Sequence, residues 1–107
     1  MAISALLAGG LSKSGGRVVA TRGALQVLDR YNVAALELLG RHLSGDWGDL
    51  CAEDKAANDA ALESGQARLL SAYTLRRTAY GIEETERLYL LTEWDRSCST
   101  LLTPAEY

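Results

Sequence analysis

The stretch Arg-Leu-Leu-Ser-Ala-Tyr-Thr-Leu at residues 68–75 decides the fold class, because here the spacing of apolar residues changes from helical to alternating. Two later stretches, residues 87–93 and 99–103, have the same short, alternating character. The sequence therefore predicts three successive strands in its C-terminal half. Residues 76–86 are polar and include Gly81, which predicts a long exposed hairpin loop between the first two strands.

The N-terminal half predicts one strand followed by helices. Arg-Val-Val-Ala-Thr at residues 17–21 is β-branched and follows two glycines, which is typical of a strand. Thr21 and Asn32 are suitable N-caps, and Gly65 is a suitable helix terminator. Three helices are predicted, at residues 22–30, 33–43 and 51–63. Because sequential strands with short connections usually pair antiparallel, we expect an α+β fold of order β-α-α-α-β-β-β, with helices packed on one face of an antiparallel sheet.

Length and composition predict one domain without cofactor or metal. The chain has 107 residues and is 48% hydrophobic, which suffices for one continuous core. We expect residues 17–107 to form this single α+β domain, preceded by a flexible N-terminal segment at residues 1–16. The two cysteines, Cys51 and Cys98, are too few for a disulfide scaffold and do not have zinc-knuckle spacing.

The charge disfavours nucleic acid and membrane partners. The net charge is −3, so the chain has no general attraction to phosphates or anionic lipids. It also lacks a run of about 20 apolar residues, the length that a membrane span needs. We therefore expect a cytoplasmic protein.

Residues 45–49, Gly-Asp-Trp-Gly-Asp, are the first candidate site, because glycines and acids frame a large aromatic side chain. One interpretation places Trp47 at the end of the core, with the aspartates capping helices and accepting turn amides. The other makes Trp47 an anchor for a protein partner, at the edge of an acidic surface. The residues of that candidate partner surface are Trp47, Asp46, Asp49, Glu53 and Asp54.

The second candidate site is the cluster Thr-Glu-Trp-Asp-Arg-Ser at residues 92–97, which ends in the motif Asp-Arg-Ser. Its composition is typical of a turn in which side-chain oxygens accept backbone amides. A catalytic alternative uses Arg96 to stabilise an anion and Glu93 or His42 as base, with hydrogen-bond donors from Thr92, Ser97 and Thr100. His42 is the only histidine, and its place in a helix predicts a surface position rather than a catalytic one.

Several motifs together resemble those of a known family. They are Gly-Asp-Trp-Gly-Asp-Leu at residues 45–50, Leu-Ser-Ala-Tyr-Thr-Leu at 70–75, Leu-Thr-Glu-Trp-Asp-Arg-Ser at 91–97 and Leu-Leu-Thr-Pro-Ala-Glu-Tyr at 101–107. From residue 17 onward the chain resembles a family of short bacterial proteins carried on plasmids and integrative elements. These proteins are labelled plasmid-related or, in some cases, as a type I restriction subunit.

The resemblance implies a setting of gene transfer between bacteria. Small acidic proteins in that setting act by occupying a host defence complex, so the expected function is protein binding, as an inhibitor of a CRISPR or restriction system. The alternative is a small ribonuclease-like toxin, because a strand, helices and three antiparallel strands follow each other in such enzymes. Net charge −3 disfavours RNA binding, so a binding role is preferred to an enzymatic one.

Overall fold

The computed structural model describes residues 2–4 and 16–107 and has the predicted α+β architecture. The strands are β1 (Ala2–Ser4), β2 (Arg17–Thr21), β3 (Leu69–Ala79), β4 (Ile82–Thr92) and β5 (Cys98–Leu102). The helices are α1 (Arg22–Tyr31), α2 (Ala35–Leu43), α3 (Ala52–Ser64) and a final 3-10 turn (Pro104–Glu106). Within the segment predicted to be flexible, β1 pairs with β2, and residues 1 and 5–15 lie outside the described residues.

The sheet is mixed, so the prediction of an antiparallel sheet is wrong for one pair of strands. The strand order is β1-β2-β5-β4-β3, and β2 runs parallel to β5, with Val18 opposite Ser99 and Ala20 opposite Leu101. The remaining pairs are antiparallel. A parallel pair needs a long connection, and the three helices and two strands between β2 and β5 provide one.

Helices α1 and α2 cover one face of the sheet, as expected from their apolar stripes. Their buried residues are Ala24, Val27, Leu28, Tyr31, Leu38 and Leu39. They pack against buried side chains of the sheet, chiefly Tyr73, Leu88, Leu90 and Leu101. Side chains alternate between the two faces of each strand, so those on the face toward the helices lie in the main core.

The caps of α1 explain where this helix begins and ends. Thr21 is its N-cap, as predicted, and its hydroxyl accepts a hydrogen bond from the Ala24 amide at 3.1 Å. Asn32 was predicted to cap α2 but is the C-cap of α1, in the left-handed region with φ 54°. Asparagine tolerates this conformation better than most residues, so the same side chain suits either end of a helix.

Residues 76–86 form strands, so the predicted long loop is wrong. Strands β3 and β4 pair without a break from Leu69 opposite Thr92 to Ala79 opposite Ile82. Only Tyr80 and Gly81 lie in the turn, with φ 52° and 75°. Positive φ at both positions is what a type I′ turn requires, and this turn matches the twist of a hairpin. The segment looks like a loop in the sequence because its side chains are polar, although every residue outside the turn lies opposite a partner on the other strand.

Helix α3 lies against the outer edge of β3, where an asparagine satisfies the backbone. Asn58 is buried, and its Nδ2 donates to the Leu70 carbonyl at 2.7 Å. The Leu70 amide donates to Asn58 Oδ1 at 3.1 Å. One side chain therefore replaces the strand that would otherwise pair at this position.

The segment at residues 47–49 covers the next part of the same edge. The Ala72 amide donates to the Trp47 carbonyl at 3.1 Å, and the Asp49 amide donates to the Ala72 carbonyl at 2.6 Å. Gly48 between them has φ 75°, and a Cβ there would be 2.1 Å from the Ala72 carbonyl oxygen. Glycine is needed because only a residue without a side chain permits this approach.

We predict that Asn58→Ala lowers the free energy of unfolding by about 2 kcal/mol, because it leaves the Leu70 amide and carbonyl without partners. Urea denaturation measures the loss, and light scattering should show faster aggregation through the uncovered edge. Asn58→Asp is the matched control, since it retains an acceptor for the Leu70 amide and loses the donor. An unchanged unfolding midpoint for Asn58→Ala would show that this contact does not protect the edge.

Candidate functional site

Trp47 lies in the core, so its proposed role as an exposed anchor does not agree with the structure. Its side chain is only 4% exposed and packs with Ala61 and Leu69. The indole Nε1 donates to Asp59 at 2.9 Å, and the ring meets His42 edge to face at 5.6 Å. Of the two interpretations of residues 45–49, the geometry favours the structural one, because covering the β3 edge carries Trp47 into a small second core.

Asp46 and Asp49 both hold the turn around Trp47. Asp46 accepts from Arg41 Nε at 2.6 Å and from the Gly48 amide at 3.1 Å, and these hydrogen bonds, that from Arg41 foremost, lower its pKa. Asp49 accepts from the Thr74 amide at 3.1 Å, and hydrogen bonding to Thr74 lowers its pKa. Both carboxylates are exposed but serve the local fold.

Glu53 and Asp54 are exposed in the first turn of α3. Their negative charges there are favourable, because the amino end of a helix carries partial positive charge. They remain accessible to a partner, but the structure separates them from the buried Trp47.

His42 is buried, so its predicted surface position is wrong. It is 1% exposed, and its Nδ1 lies 2.6 Å from the Ser71 hydroxyl and its Nε2 2.8 Å from the Thr92 hydroxyl. Thr92 in turn lies 2.7 Å from the Ser99 hydroxyl. We call these four residues the His42 network. It joins α2 to β3, β4 and β5.

The His42 network suits a neutral imidazole. One ring nitrogen donates and the other accepts, so one neighbouring hydroxyl must donate to the ring and the other must accept from it. Burial, and to a smaller extent the charge of Arg96, lowers the pKa of His42 to about 4. A serine beside a histidine could suggest a nucleophile, but every member of the network is at most 1% exposed. A substrate therefore cannot reach these groups in the folded state.

Arg96 is used within the fold rather than presented to an anion. Its Nη1 donates to the Ala67 carbonyl at 2.6 Å, and its Nη2 donates to the Ala61 carbonyl at 3.0 Å near the carboxyl end of α3. The same guanidinium also lies 3.2 Å from the carbonyls of Glu93 and Trp94. A cation at this end of a helix is stabilising.

The other members of the proposed catalytic set belong to the same turn. The Ser97 amide donates to Asp95 at 3.0 Å, as the turn interpretation of residues 95–97 predicts. The Glu93 amide donates to the Cys98 carbonyl at 2.9 Å and so extends the β4–β5 ladder. His42, Glu93, Arg96 and Ser97 do not converge on one cleft, because His42 is enclosed by the core.

The described residues contain shallow depressions and no metal-binding cluster. One depression, of about 460 Å³, lies between the end of α1 and the start of α2, with Asp29 as its ionisable group. A smaller one of about 160 Å³ lies between α3 and β3 and includes Asp54. Within the described part of the chain, no group of three His, Cys, Asp or Glu side chains could hold a metal ion.

The length of the β3–β4 hairpin is the feature that the sequence did not reveal, because the predicted hairpin had a long loop in place of its paired outer half. Strand β5 pairs with β4 only from Tyr89 to Thr92, so the rest of the hairpin extends past the sheet as a two-stranded ribbon. We call Tyr80, Gly81 and Ile82 the hairpin tip. Tyr80 is fully exposed and Ile82 is 65% exposed. The Tyr-Gly pair at residues 80–81, within an otherwise polar stretch, was the signal in the sequence for a two-residue turn.

Contacts with α1 brace the base of this ribbon. Arg77 donates to both Glu84 carboxylate oxygens at 3.2 Å and to the Arg30 carbonyl at 3.2 Å. Arg30 also pairs with Glu86, and the Arg77 guanidinium lies 5.8 Å from the centre of the Tyr31 ring. The contacts of Arg30 with Glu86 and Arg77 link the ribbon to α1.

Comparisons of the chain with family models, with curated proteins and with solved structures gave no match. Among the described residues, no helix is long and apolar enough to cross a membrane.

We predict that stability falls as the pH drops from 6.5 toward 4. The pKa of His42 is about 4 in the folded protein, below the ordinary value of 6.5, so the unfolded chain binds the proton more tightly. The contribution of neutral His42 to the free energy of unfolding is fully present above pH 6.5, and about 3 kcal/mol of it is lost by pH 4. Urea unfolding at pH 7, 6 and 5 measures this slope. His42→Gln should be less stable at pH 7 and should lack the slope between pH 6.5 and 5. A flat wild-type profile in this range would contradict the prediction.

We predict that Trp47→Ala lowers the free energy of unfolding by about 3–5 kcal/mol, because it empties the space between Ala61 and Leu69. Trp47→Phe should cost less, since it keeps a ring and loses the hydrogen bond to Asp59. Chemical denaturation distinguishes the two variants. A stable Trp47→Ala protein with weakened partner binding would restore the anchor interpretation.

Proposed function

We propose that this protein acts by binding another protein, and that the hairpin tip makes the central contact. The observation that carries the proposal is Tyr80, a bulky aromatic residue that is fully exposed and has φ 52°. Side chains other than those of Gly, Asn and Asp are unfavourable in this left-handed conformation, and asparagine is preferred at this position of a type I′ turn. Tyr80 therefore costs stability at a site where its side chain is fully exposed and packs against no other described residue.

A binding role explains this cost. Backbone strain at an exposed position is retained where function requires the residue. Exposed tyrosine contributes large contact area with little loss of conformational entropy, and it is frequent among residues that dominate binding energy. Ile82 adjoins Tyr80 and adds exposed apolar surface. The bracing of the ribbon by Arg30 and Arg77 lowers the entropy lost on binding, because the tip is already held in place.

The family resemblance extends the proposal to the kind of partner. A mobile-element protein of this kind would act in the cytoplasm on a subunit of a CRISPR or restriction complex and so inhibit host defence. The exposed acids Glu53 and Asp54 could contribute electrostatic steering toward a basic partner.

The contacts of the proposed catalytic residues favour binding over a ribonuclease activity. Arg96 donates to main-chain carbonyls, and His42 has no access to solvent. A ribonuclease must also hold RNA phosphates, which a net charge of −3 disfavours.

We predict opposite effects of Tyr80→Asn on stability and on binding. The variant should gain about 0.5–1 kcal/mol of unfolding free energy, because asparagine fits the turn. It should lose about 2 kcal/mol of binding free energy, close to thirtyfold in Kd, if Tyr80 is the anchor. Thermal unfolding measures the first effect, and titration against the captured partner measures the second.

The partner is obtained by affinity capture of the tagged protein from its bacterial host. Trp94→Ser is the matched control, since Trp94 is 62% exposed in the turn after β4, at the other end of the hairpin. It should retain the partner. Recovery of the wild-type protein alone would overturn the proposal and direct the next assay to RNA cleavage, and equal capture by Tyr80→Asn would exclude the tip as the contact.

A further inference from the structure

The two edges of the hairpin differ in how far they are covered. On β3, the outward-directed backbone groups of Leu70, Ala72 and Thr74 are bonded to Asn58 or to residues 47–49. Between Thr74 and the turn, only Arg76 and Thr78 also direct their backbone groups outward. Natural sheets cover exposed edges because an open edge pairs readily with other chains.

On β4, a longer edge is open. The Glu93 amide donates to Cys98, so by alternation the backbone groups of Glu83, Thr85 and Arg87 are directed toward the side on which β5 lies. Strand β5 does not reach them, because its last residue, Leu102, pairs with Tyr89. No backbone hydrogen bond from the described residues satisfies these three. We call this open edge at residues 82–88, about 23 Å long, the β4 notch.

The chain after β5 turns toward the start of α1 and touches β4 only where β5 ends, at the inner end of the β4 notch, where the Tyr107 ring meets Tyr89 edge to face at 5.4 Å. Thr103 and Glu106 form a capping box at the final 3-10 turn. Glu106 also accepts from the Thr21 hydroxyl at 2.5 Å and from the Gly23 amide at 3.2 Å, and these bonds, with those from Thr103, lower its pKa to about 2. The C-terminal turn is therefore fixed beside the start of α1.

The side chains around the β4 notch give it a definite chemical character. Glu84 and Glu86 are neutralised by Arg77 and Arg30 on the helix side. Glu83 lies on the opposite face of the strand, is exposed, and forms no ion pair with any described residue. Arg76 lies on the same face, diagonally across the hairpin, and does not pair with Glu83, so the notch presents there one carboxylate without an ion pair among the described residues.

The ends of the β4 notch are also distinct. Arg87 is drawn across β3, where its Nη2 donates to the Asp49 carbonyl at 3.3 Å, so its charge does not balance Glu83. At the outer end, Ile82 and Tyr80 supply exposed apolar surface. The notch thus offers hydrogen bonds along its length, a negative charge and an apolar end.

We propose that the β4 notch receives an extended segment of the partner protein as an added strand, in line with β5. The segment carries a lysine or arginine facing Glu83 and an apolar residue beside Ile82. Main-chain hydrogen bonds supply the affinity and these two side chains the selectivity, as in other cases of strand addition. This inference rests on the proposed function and specifies how the partner is held.

Proline substitutions at two paired positions test the mode of binding. Thr85 and Arg76 lie opposite each other, and each directs its amide outward, to the β4 and the β3 edge respectively. Thr85→Pro removes one donor from the β4 notch without breaking the β3–β4 ladder, a position where proline is tolerated. Arg76→Pro is the matched control on the other edge, and Thr85→Ala controls for the lost side chain.

The probe is a phage-displayed library of random dodecapeptides selected on the purified wild-type protein, so the test does not need the natural partner. We expect enriched peptides with alternating apolar residues and at least one lysine or arginine. Thr85→Pro should weaken the best synthetic peptide by at least about tenfold. Arg76→Pro and Thr85→Ala should leave its affinity unchanged within about twofold. No enrichment, or equal loss in both proline variants, would overturn the proposal.

Amide exchange on the wild-type protein gives a readout that does not depend on the variants folding. The amides of Glu83, Thr85 and Arg87 should exchange rapidly in the free protein and be slowed about a hundredfold by the peptide. Protection of Arg76 and Thr78 instead would assign the peptide to the β3 edge and overturn the proposal. A dimer in analytical ultracentrifugation that Thr85→Pro dissociates would assign the β4 notch to a second copy, with the same consequence. If peptides bind but no cellular partner is captured, the proposed function fails and the binding mode stands.

Discussion

The hydrogen bonds of His42 to Ser71 and Thr92 are the interaction on which the rest of the structure depends. They fix α2 over the antiparallel strands β3 and β4 and leave every member of the network with a partner in the core. A buried polar group is costly unless its hydrogen bonds are made, so one arrangement of helix and sheet satisfies the network and displaced ones do not. The position of α2 in turn sets where the chain emerges at residue 44.

The position of α2 determines how the outer edge of β3 is covered. The chain leaving α2 passes directly along β3, where Gly48 permits the close approach and Asp49 accepts the Thr74 amide. Trp47 is carried into a small core with Ala61 and Leu69. Helix α3 then continues the cover through Asn58. The acids and the tryptophan that looked like a recognition surface are used here to close a sheet edge.

The cover over the strand edges ends before the hairpin tip is reached. The covered part of the molecule serves the fold, and the uncovered part is free to bind. Beyond Thr74 on β3 and before Tyr89 on β4, the strands pair with each other and with no other strand. The Arg30–Glu86 ion pair and the hydrogen bond from Arg77 to the Arg30 carbonyl link the ribbon to α1 without covering its edges. A strained, exposed tyrosine at the end of a rigid ribbon is a feature that folding does not require, which is why both proposals concern this region.

The sequence by itself determined the α+β class, the strand at 17–21, the start of α1, the end of α3, and the turn at 95–97, because these depend on local periodicity, caps and turn residues. Only the tertiary structure decided the parallel pairing of β2 with β5, the burial of His42 and Trp47, and the paired state of residues 76–86. Each of these depends on partners far away in the chain. Judged from its neighbours in the sequence, a lone histidine is a polar residue expected at the surface. It is a core residue here because three hydroxyl groups from separate strands complete its hydrogen-bond network. A polar segment likewise looks like a loop until the opposite strand satisfies its backbone.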